Sequence, residues 1–470
     1  MELKNLKSIH FTGIKGVAMT SLALCAKDCD IAVTGTDTEE IFVTDEILKE
    51  RNIKWDVGFE KNNWTEKPDL LITTGAHGGY NNKEVVSAKE NGIPVMSQAE
   101  ALNLFSKGKE LISVCGVGGK TTVSSIIAAI FQMNSIEISY AIGVGKIYPI
   151  GYGGKYSGES KYFICEADEF VVSPGVDDRP KFSLLSPSIV VATNIDHDHP
   201  DIYPSIADTK SAYLNFFRKL PKDGLLIAFK DNKNTMDVIE KIDNVSFVTY
   251  GFSEGSDWRI TKTLVKDGYQ IVSFKDPQNK EYSFKFNLPG RYNALNAIAA
   301  LIAANRAGIK IDIIIKALEN FIGTQRRFQK VGVSKSGILV YDDYAHHPNE
   351  IKNVIEAAKE FFPNKRIISI FQPHTYSRTK SLFKEFINSF KDSDVVLLMD
   401  IYSSAREKMD ITVSSQKLVE EISKNQKDVY YTSDHSSAIS WLKNNVKDND
   451  LVITLGAGNV FYLDKEILKI

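Results

Sequence analysis

The sequence predicts an α/β protein of three domains: a Rossmann-like N-terminal sheet, a central P-loop ATPase-type sheet with appended antiparallel strands, and a C-terminal Rossmann-like sheet. Three observations carry this expectation. Short apolar runs alternate with helical patterns along most of the chain, as parallel strands joined by helices require. Glycine turns follow two of these runs, at Gly13 and Gly116, and each leads into an apolar-periodic segment. At 470 residues the chain exceeds the size at which a single core keeps growing. Short linkers near Lys107-Gly108 and Gly323-Thr324 place the boundaries at 1–107, 108–323 and 324–470.

The first domain alternates strands (8–11, 31–34, 70–73, 93–96) with helical patterns such as 17–26. Its first turn, Gly13-Ile14-Lys15-Gly16-Val17-Ala18, follows a strand and opens a helix, and Asp37 closes the second strand. Such an arrangement favours a phosphate at the helix N-terminus, on Gly13 and Gly16, with a ribose on the Asp37 carboxylate. The third glycine of the dinucleotide fingerprint is missing and the second is displaced, so a nicotinamide or flavin dinucleotide and a diphosphate of another kind both remain open.

The second domain opens with an apolar run, 111–115, followed by Gly116-Val117-Gly118-Gly119-Lys120-Thr121-Thr122 and an apolar-periodic helix, 123–131. Glycines let backbone N–H groups approach a polyphosphate. Lys120 can reach its outer phosphates, the Thr121 hydroxyl can take a magnesium ion, and the helix N-terminus adds positive potential. The turn is shorter than the general P-loop, whose first glycine would fall at Val114. The next strands, 162–165 and 189–193, deliver Glu166-Ala167-Asp168-Glu169 and Asn194-Ile195-Asp196-His197-Asp198-His199 to the same carboxyl edge. Acids and a histidine there suit magnesium or its waters, while a solvated turn is the alternative for the histidine segment.

Residues 246–288 alternate apolar and polar positions and are expected to add antiparallel strands. In the helix that follows Pro289-Gly290, Asn293 and Asn296 share a face, where they either read a purine edge or cap the helix. The third domain has strands 338–341, 366–371, 395–399 and 451–455, each ending in polar residues. Its loops hold His346, His347 and His374, three of the eight histidines, which scattered core histidines would not do.

Composition narrows the partners. With 43% hydrophobic and 25% charged residues and a formal charge of −2, the chain is not that of a general nucleic-acid or membrane-surface binder. It lacks a basic leader with a long apolar core and any stretch of membrane-span length, so cytoplasmic localisation is expected. Cys25, Cys29, Cys115 and Cys165 sit in apolar helix or strand patterns and are too few for a disulfide framework.

The order of these motifs resembles the Mur ligase family of peptidoglycan synthesis, over essentially the whole chain. The resemblance lies in the shortened P-loop, Glu166-Ala167-Asp168-Glu169, Thr193-Asn194-Ile195 with Asp198-His199, the Asn293 and Asn296 helix start, Arg326-Arg327-Phe328, and Asp342-Asp343-Tyr344-Ala345-His346-His347-Pro348. It implies an ATP-dependent carbon–nitrogen ligase that passes through an acyl phosphate, with ATP and Mg2+ as cofactors. Within the family, the Gly13 turn, the segment from Phe371 to Thr379 and Ser404-Ala405-Arg406-Glu407-Lys408 point to members acting on UDP-N-acetylmuramate and L-alanine. Asp178-Arg179-Pro180-Lys181-Phe182 resembles instead the members that attach a preformed murein tripeptide to the same sugar nucleotide.

Carried onto matching positions, the resemblance puts Lys120 on the outer phosphates, Thr121 and Glu166 on one magnesium ion and His199 on a second. Asn293 and Asn296 would hold the adenine, Asp343 the ribose, and Arg327 the transferring phosphate. His346 and Arg378 would position the amino acid, and the N-terminal sheet would hold the UDP part. No nucleic acid or membrane partner is implied, and an oligomer stays open. In this chain Val117 and Gly118 depart from the usual Gly-Thr-x-Gly-Lys, which predicts a looser cradle. Lys210 lies on the helix where some members carry a carboxylated lysine, but the sequence does not set its register.

Overall fold

The computed structural model describes residues 1–470 except 62, 65, 200, 201, 244, 404–406 and 408. The described chain forms two compact units, one comprising Met1–Thr263, Ile271–Phe286 and Ala294–Ile322, the other Leu264–Gln270, Asn287–Asn293 and Gly323–Ile470. The first unit holds two large sheets built in succession and a separate two-stranded hairpin. Strands β1 (Ser8–Thr12), β2 (Ala32–Asp37), β3 (Lys54–Val57), β4 (Leu70–Thr73) and β5 (Val95–Ser97) form a parallel sheet in the order β3-β2-β1-β4-β5. Between them run α1 (Val17–Asp28), α2 (Asp45–Glu50) and α3 (Lys83–Glu90), and α4 (Gln98–Ser106) follows β5. The strand order reverses between β1 and β4, so the crevice at the carboxyl ends opens at the Gly13 turn.

That edge is stapled from inside. Glu84, fully buried at the start of α3, accepts the hydroxyls of Thr12 and Thr36 at 2.7 Å each and Asn63 Nδ2 at 3.1 Å. His10 Nε2 lies 3.8 Å away. Three donors on one buried carboxylate offset the cost of taking it from water, and they lock the last residues of β1 and β2 to α3.

The second sheet contains β6 (Glu110–Cys115), α5 (Lys120–Met133), the paired β7 (Ser139–Tyr148) and β8 (Gly151–Lys155), and β9 (Tyr162–Glu166). A hairpin, β10 (Val171–Ser173) with β11 (Asp177–Pro180), precedes β12 (Ile189–Ala192), α6 (Ile206–Phe217), β13 (Leu225–Phe229), α7 (Lys233–Ile239) and β14 (Phe247–Gly251). Then come β15 (Trp258–Lys266), β16 (Tyr269–Lys275), β17 (Glu281–Phe286), α8 (Arg291–Arg306) and α9 (Ile311–Asn320). The order is β17-β16-β15-β14-β13-β12-β6-β9-β7, and β6, β9, β12 and β13 are parallel. β14 and β15 correct one expectation: read as the first antiparallel strands, β14 pairs parallel to β13, because α7 is the crossover that reverses the chain between them, and β15 pairs parallel to β14.

α5 is buried from Thr121 to Phe131, and its apolar run is the central helix packed on the sheet. β7 and β8, unforeseen in the sequence, are glycine-rich because α1 lies against them: a Cβ on Gly154 would meet the backbone of Ser21. The β10–β11 hairpin touches the loop after β4, where Ser173 Oγ accepts Tyr80 N–H at 3.3 Å. Behind it, Phe182 stacks on Phe216 at 4.6 Å and meets Tyr213 edge-on at 5.3 Å.

The second unit contains β18 (Gly323–Thr324), β19 (Gln329–Val333), β20 (Leu339–Asp343), α10 (Pro348–Phe361), β21 (Ile367–Phe371), α11 (Tyr376–Ser381), α12 (Phe383–Ile387) and β22 (Val395–Leu398). α13 (Ser415–Ser423), β23 (Val429–Tyr431), α14 (His435–Asn445), β24 (Leu451–Leu455) and α15 (Tyr462–Ile467) complete it. The sheet runs β19-β20-β24-β21-β22-β23, parallel except for β19. Apolar clusters fill both of its faces. Among the described residues no helix is long and apolar enough to cross a membrane.

Phe182 is 1% exposed, so Phe182→Ala leaves a cavity between α6 and the sheet. It should cost about 3–5 kcal/mol of stability, measured as a lower urea midpoint at unchanged slope.

Candidate functional site

Three strand ends converge in the first unit. Gly116 leaves β6 at φ 125°, where a Cβ would collide with Thr193 Oγ1 and with Asn194 O at 2.6 Å, so only glycine lets the turn pass β12. Gly119 starts α5 at φ 87°, with Asn296 Oδ1 2.5 Å from the place of its missing Cβ. The turn is tied from outside: Val117 N–H donates to Asn194 O at 3.1 Å, Gly118 N–H to Asn194 Oδ1 at 2.9 Å, and Thr193 Oγ1 to Gly118 O at 2.6 Å. The looseness expected of Val117 and Gly118 is therefore countered by the Thr193-Asn194 pair. Thr122, next to Thr121 in the first turn of α5, is buried.

Lys120 Nζ donates to Gly116 O at 2.7 Å and pairs with Glu169 at 3.1 and 3.3 Å. Burial would depress this ammonium, but the carboxylates of Glu169, Asp168 and Glu166 outweigh it and hold the group above its ordinary range. Thr121 Oγ1 donates to Glu166 Oε2 at 3.1 Å, and Gly143 N–H to Glu166 Oε1 at 2.7 Å. His199 Nε2 lies 3.7 Å from Glu169 and 3.5 Å from Asp198. Phe170 covers the imidazole at a centroid distance of 4.9 Å. Asp168 pairs with Lys181 at 2.8 Å; burial works against its charge, yet Lys181 and Lys120 hold it well below the usual carboxylate range.

The sequence assigns Thr121, Glu166 and His199 to magnesium and counts Glu169 only among the acids at the same edge. Here Glu169, Asp198 and His199 each offer a ligand atom, all within 4.8 Å of one another, while Glu166 sits beside the Thr121 hydroxyl. Carboxylate and hydroxyl oxygens with one imidazole suit a hard divalent cation. The signal for Glu169 was present in its position three residues beyond Glu166, just past the strand end. Lys210 Nζ is paired with Asp237 at 2.7 Å, bridging α6 and α7.

In the N-terminal sheet, Gly13 adopts φ 81°, and Gly13 and Ile14 N–H groups donate to Thr36 O. Gly16 caps α1. Asp37 is buried, with Oδ2 accepting Lys15 N–H at 2.7 Å and Oδ1 accepting Thr38 N–H at 2.8 Å, so its carboxylate shapes the turn. Asn293 Nδ2, on α8, donates to Pro289 O at 2.7 Å.

In the second unit the two arginines divide. Arg326 is buried against Asp342 at 3.0 Å and the Gly456 and Gly458 carbonyls, and so serves the fold. Arg327 lies over the Tyr344 ring at 5.1 Å. Asp343 accepts Phe328 N–H at 2.6 Å and Ala345 N–H at 2.7 Å. Burial raises its carboxyl to about 6, although Arg327 and both N–H groups pull the other way. His346 Nδ1 lies 3.0 Å from Tyr344 O, and its ring meets His374 at 6.1 Å. His374 stacks on Tyr402, and His347 caps α10. Arg378 stands in the first turn of α11, whose first N–H groups, on Tyr376 and Ser377, donate to Glu407. Ser404, Ala405, Arg406 and Lys408 of that motif lie outside the described residues.

Comparison with known proteins matches residues 8–110 to the model described as "Mur ligase family, catalytic domain", 114–304 to "Mur ligase middle domain" and 326–458 to "Mur ligase, glutamate ligase domain". A UDP-N-acetylmuramate–L-alanine ligase of Caldanaerobacter subterraneus subsp. tengcongensis is 37% identical, with 100% of this chain and 99% of the relative covered. One from Trichlorobacter lovleyi is 36% identical over 99% of each. Among solved structures, a UDP-N-acetylmuramate–alanine ligase of Thermotoga maritima superposes with a TM-score of 0.81 at 25% identity, covering 98% of both chains. A murein peptide ligase of Psychrobacter arcticus superposes with a TM-score of 0.74 over 98% of both chains; at 22% identity it shows the fold alone.

Asp343 provides a pH test. Its folded carboxyl, near 6, holds a proton that the unfolded chain, near 3.9, has already lost. Its contribution to stability is therefore full below about pH 4 and declines as pH rises to about 6. Asp343→Asn, which gives up one backbone hydrogen bond, should be less stable at low pH but show a flatter stability profile across that window in urea melts.

Proposed function

Because the chain belongs to the Mur ligase family, we propose that it joins L-alanine to the carboxylate of UDP-N-acetylmuramate at the expense of ATP, as a step of peptidoglycan synthesis. The observation that carries this reading is the convergence of Lys120, Thr121, Glu166, Glu169 and His199 at adjoining strand ends, in a chain similar over its whole length to ligases of that name.

A carboxylate is a poor acyl donor. In this reading the sugar-nucleotide carboxylate attacks the terminal phosphorus of ATP, ADP leaves, and the acyl phosphate formed is then attacked by the free amine of alanine, which expels phosphate. With the Val117 and Gly118 N–H groups held by Asn194, the backbone N–H groups from Gly119 into the first turn of α5 meet the phosphates, and Lys120 takes the outer oxygens. To do so it exchanges its bond with Glu169 for one with phosphate, and Glu169 turns to the His199 side. Asn293 and Asn296 are assigned to adenine. Asp343, buried and shared by two N–H donors, serves the ribose by placing its loop. Arg327 is assigned to the migrating phosphate, and His346 and Arg378 to the amino acid. Magnesium supplies charge neutralisation for the phosphates when bound; Thr121, Glu166, Glu169, Asp198 and His199 are the side chains that would hold it. The N-terminal sheet, with Gly13 and Gly16 at the head of α1, is assigned to the UDP part. Placement of groups and field, rather than covalent help from the protein, provides the rate.

The Asp178–Phe182 stretch favours a preformed peptide as the amine donor; its first three residues belong to β11 of the hairpin beside the loop after β4, and Lys181 and Phe182 open the turn that follows. The full-length similarity weighs for alanine. The experiment is phosphate release from ATP and Mg2+ with UDP-N-acetylmuramate, run in parallel with L-alanine, glycine, L-serine and the murein tripeptide. Release should require both the sugar nucleotide and L-alanine, and Lys120→Ala should lower kcat by about 10²-fold or more. Release with the tripeptide alone would replace alanine with the peptide. Glu166→Gln should raise the Mg2+ concentration needed for half-maximal rate at constant ATP.

A further inference from the structure

The N-terminal glycine turn contains a lysine that the chemistry above does not use. Lys15 lies between Gly13 and Gly16 and is 2% exposed. Its Nζ points away from the crevice, into the loop joining β2 to α2, where it donates to Thr38 O at 2.9 Å and to Glu40 O and faces Asp45 at 3.5 Å. The Phe42 and Trp55 rings flank it at 5.2 and 5.9 Å. The backbone of the same residue is also held: its N–H donates to Asp37 at 2.7 Å, and its carbonyl accepts the Thr44 hydroxyl.

A lysine taken out of water persists only where carbonyls, a carboxylate or aromatic faces replace its hydration. Apart from Trp55, every one of these partners belongs to residues 37–45. The ammonium is therefore the nucleus around which that loop folds, and the loop stands at the carboxyl end of β2, next to the switch point where an open parallel sheet takes its ligand. On the other side of the turn Glu84 holds Thr12 and Thr36, so the turn is fixed between two buried charges.

We propose that Lys15 is a positioning residue for the uridine diphosphate part of the substrate: it holds the 38–45 loop in its binding shape, so that little order has to be imposed when the nucleotide arrives. This rests on the assignment of the N-terminal sheet to the UDP part. The side chain does not touch the ligand; it acts through the loop. Loss of such preorganisation weakens binding of the nucleotide without altering phosphate transfer.

The test uses the full chain with Lys15→Met, which keeps the length of the stem and removes the donors. UDP affinity is measured by calorimetry, and KM for UDP-N-acetylmuramate, KM for ATP and kcat by phosphate release. UDP affinity should weaken by about tenfold, with KM for the sugar nucleotide rising in step, while kcat and KM for ATP stay within about twofold. Hydrogen exchange at residues 38–45 should accelerate in the variant and slow again on adding UDP. Thr44→Val, nearly isosteric, removes only the hydroxyl bond to Lys15 O and should move UDP affinity in the same direction by less, which keeps the test open if Lys15→Met does not fold. Unchanged UDP affinity in the folded variants would overturn the proposal, as would kcat and both KM values shifting together. If the wild-type chain binds ATP but not UDP, the assignment of the N-terminal sheet fails and the proposal with it.

Discussion

Charge taken out of water at strand ends is the constraint on which the rest of this structure depends. Lys120 is surrounded by Glu166, Asp168 and Glu169, and each of these groups would be expensive alone. Together they are tolerated because β6 and β9 end at the same level, which brings Lys120 to 3.1 Å from Glu169 and into the field of Glu166 and Asp168. Lys181, reaching Asp168 from beyond the β10–β11 hairpin, and Gly143 N–H, reaching Glu166 from β7, complete the compensation. The hairpin and the glycine-rich pair β7 and β8 are thus supports of this charged cluster as well as parts of the fold.

The same device recurs in each sheet. At the N-terminal sheet, Lys15 and Glu84 flank the first turn, each satisfied by neighbouring loops and hydroxyls. In the second unit, Arg326 and Asp342 pair at the end of β20, and Arg326 also takes the carbonyls after β24. A parallel α/β sheet leaves its carboxyl edge rich in loops and open backbone groups, where polar side chains find partners that the apolar strand interiors cannot offer. Buried charge therefore accumulates at the carboxyl edges, and the sheet faces are filled by apolar side chains.

The Mur ligase assignment gives these edges distinct tasks without making them independent of local geometry. At Gly116 and Gly119 the requirement for glycine is steric as well as conformational, since Thr193, Asn194 and Asn296 occupy the space a side chain would need. The residues that shape the phosphate turn are thus themselves shaped by β12 and α8. Asp37 and Asp343 show the complementary case. Both stand where a carboxylate could meet a ribose, and both spend their oxygens on backbone N–H groups that define a turn.

Much of this was legible in one dimension because it is written in local pattern. Alternating apolar runs and helical periods identified three sheets, and the Gly-Lys-Thr ending, Glu166 and His199 could be assigned to a single edge, because parallel strands place all their carboxyl ends on one side. β7 and β8 were not legible, since their glycines answer to the approach of α1 and erase the alternation that marks a strand. The direction of β14 depended on recognising α7, a helix of one or two turns whose pattern is too short to stand out. Glu169 and Lys15 were visible as residues but not as roles, because their partners lie 49 and 23 or more positions away and only tertiary folding brings them within reach. The chemistry of the chain is set by which residues follow each strand, a property of sequence; which of them faces a ligand and which is consumed in holding a turn is decided by burial and by the competition of backbone N–H groups for the same carboxylates.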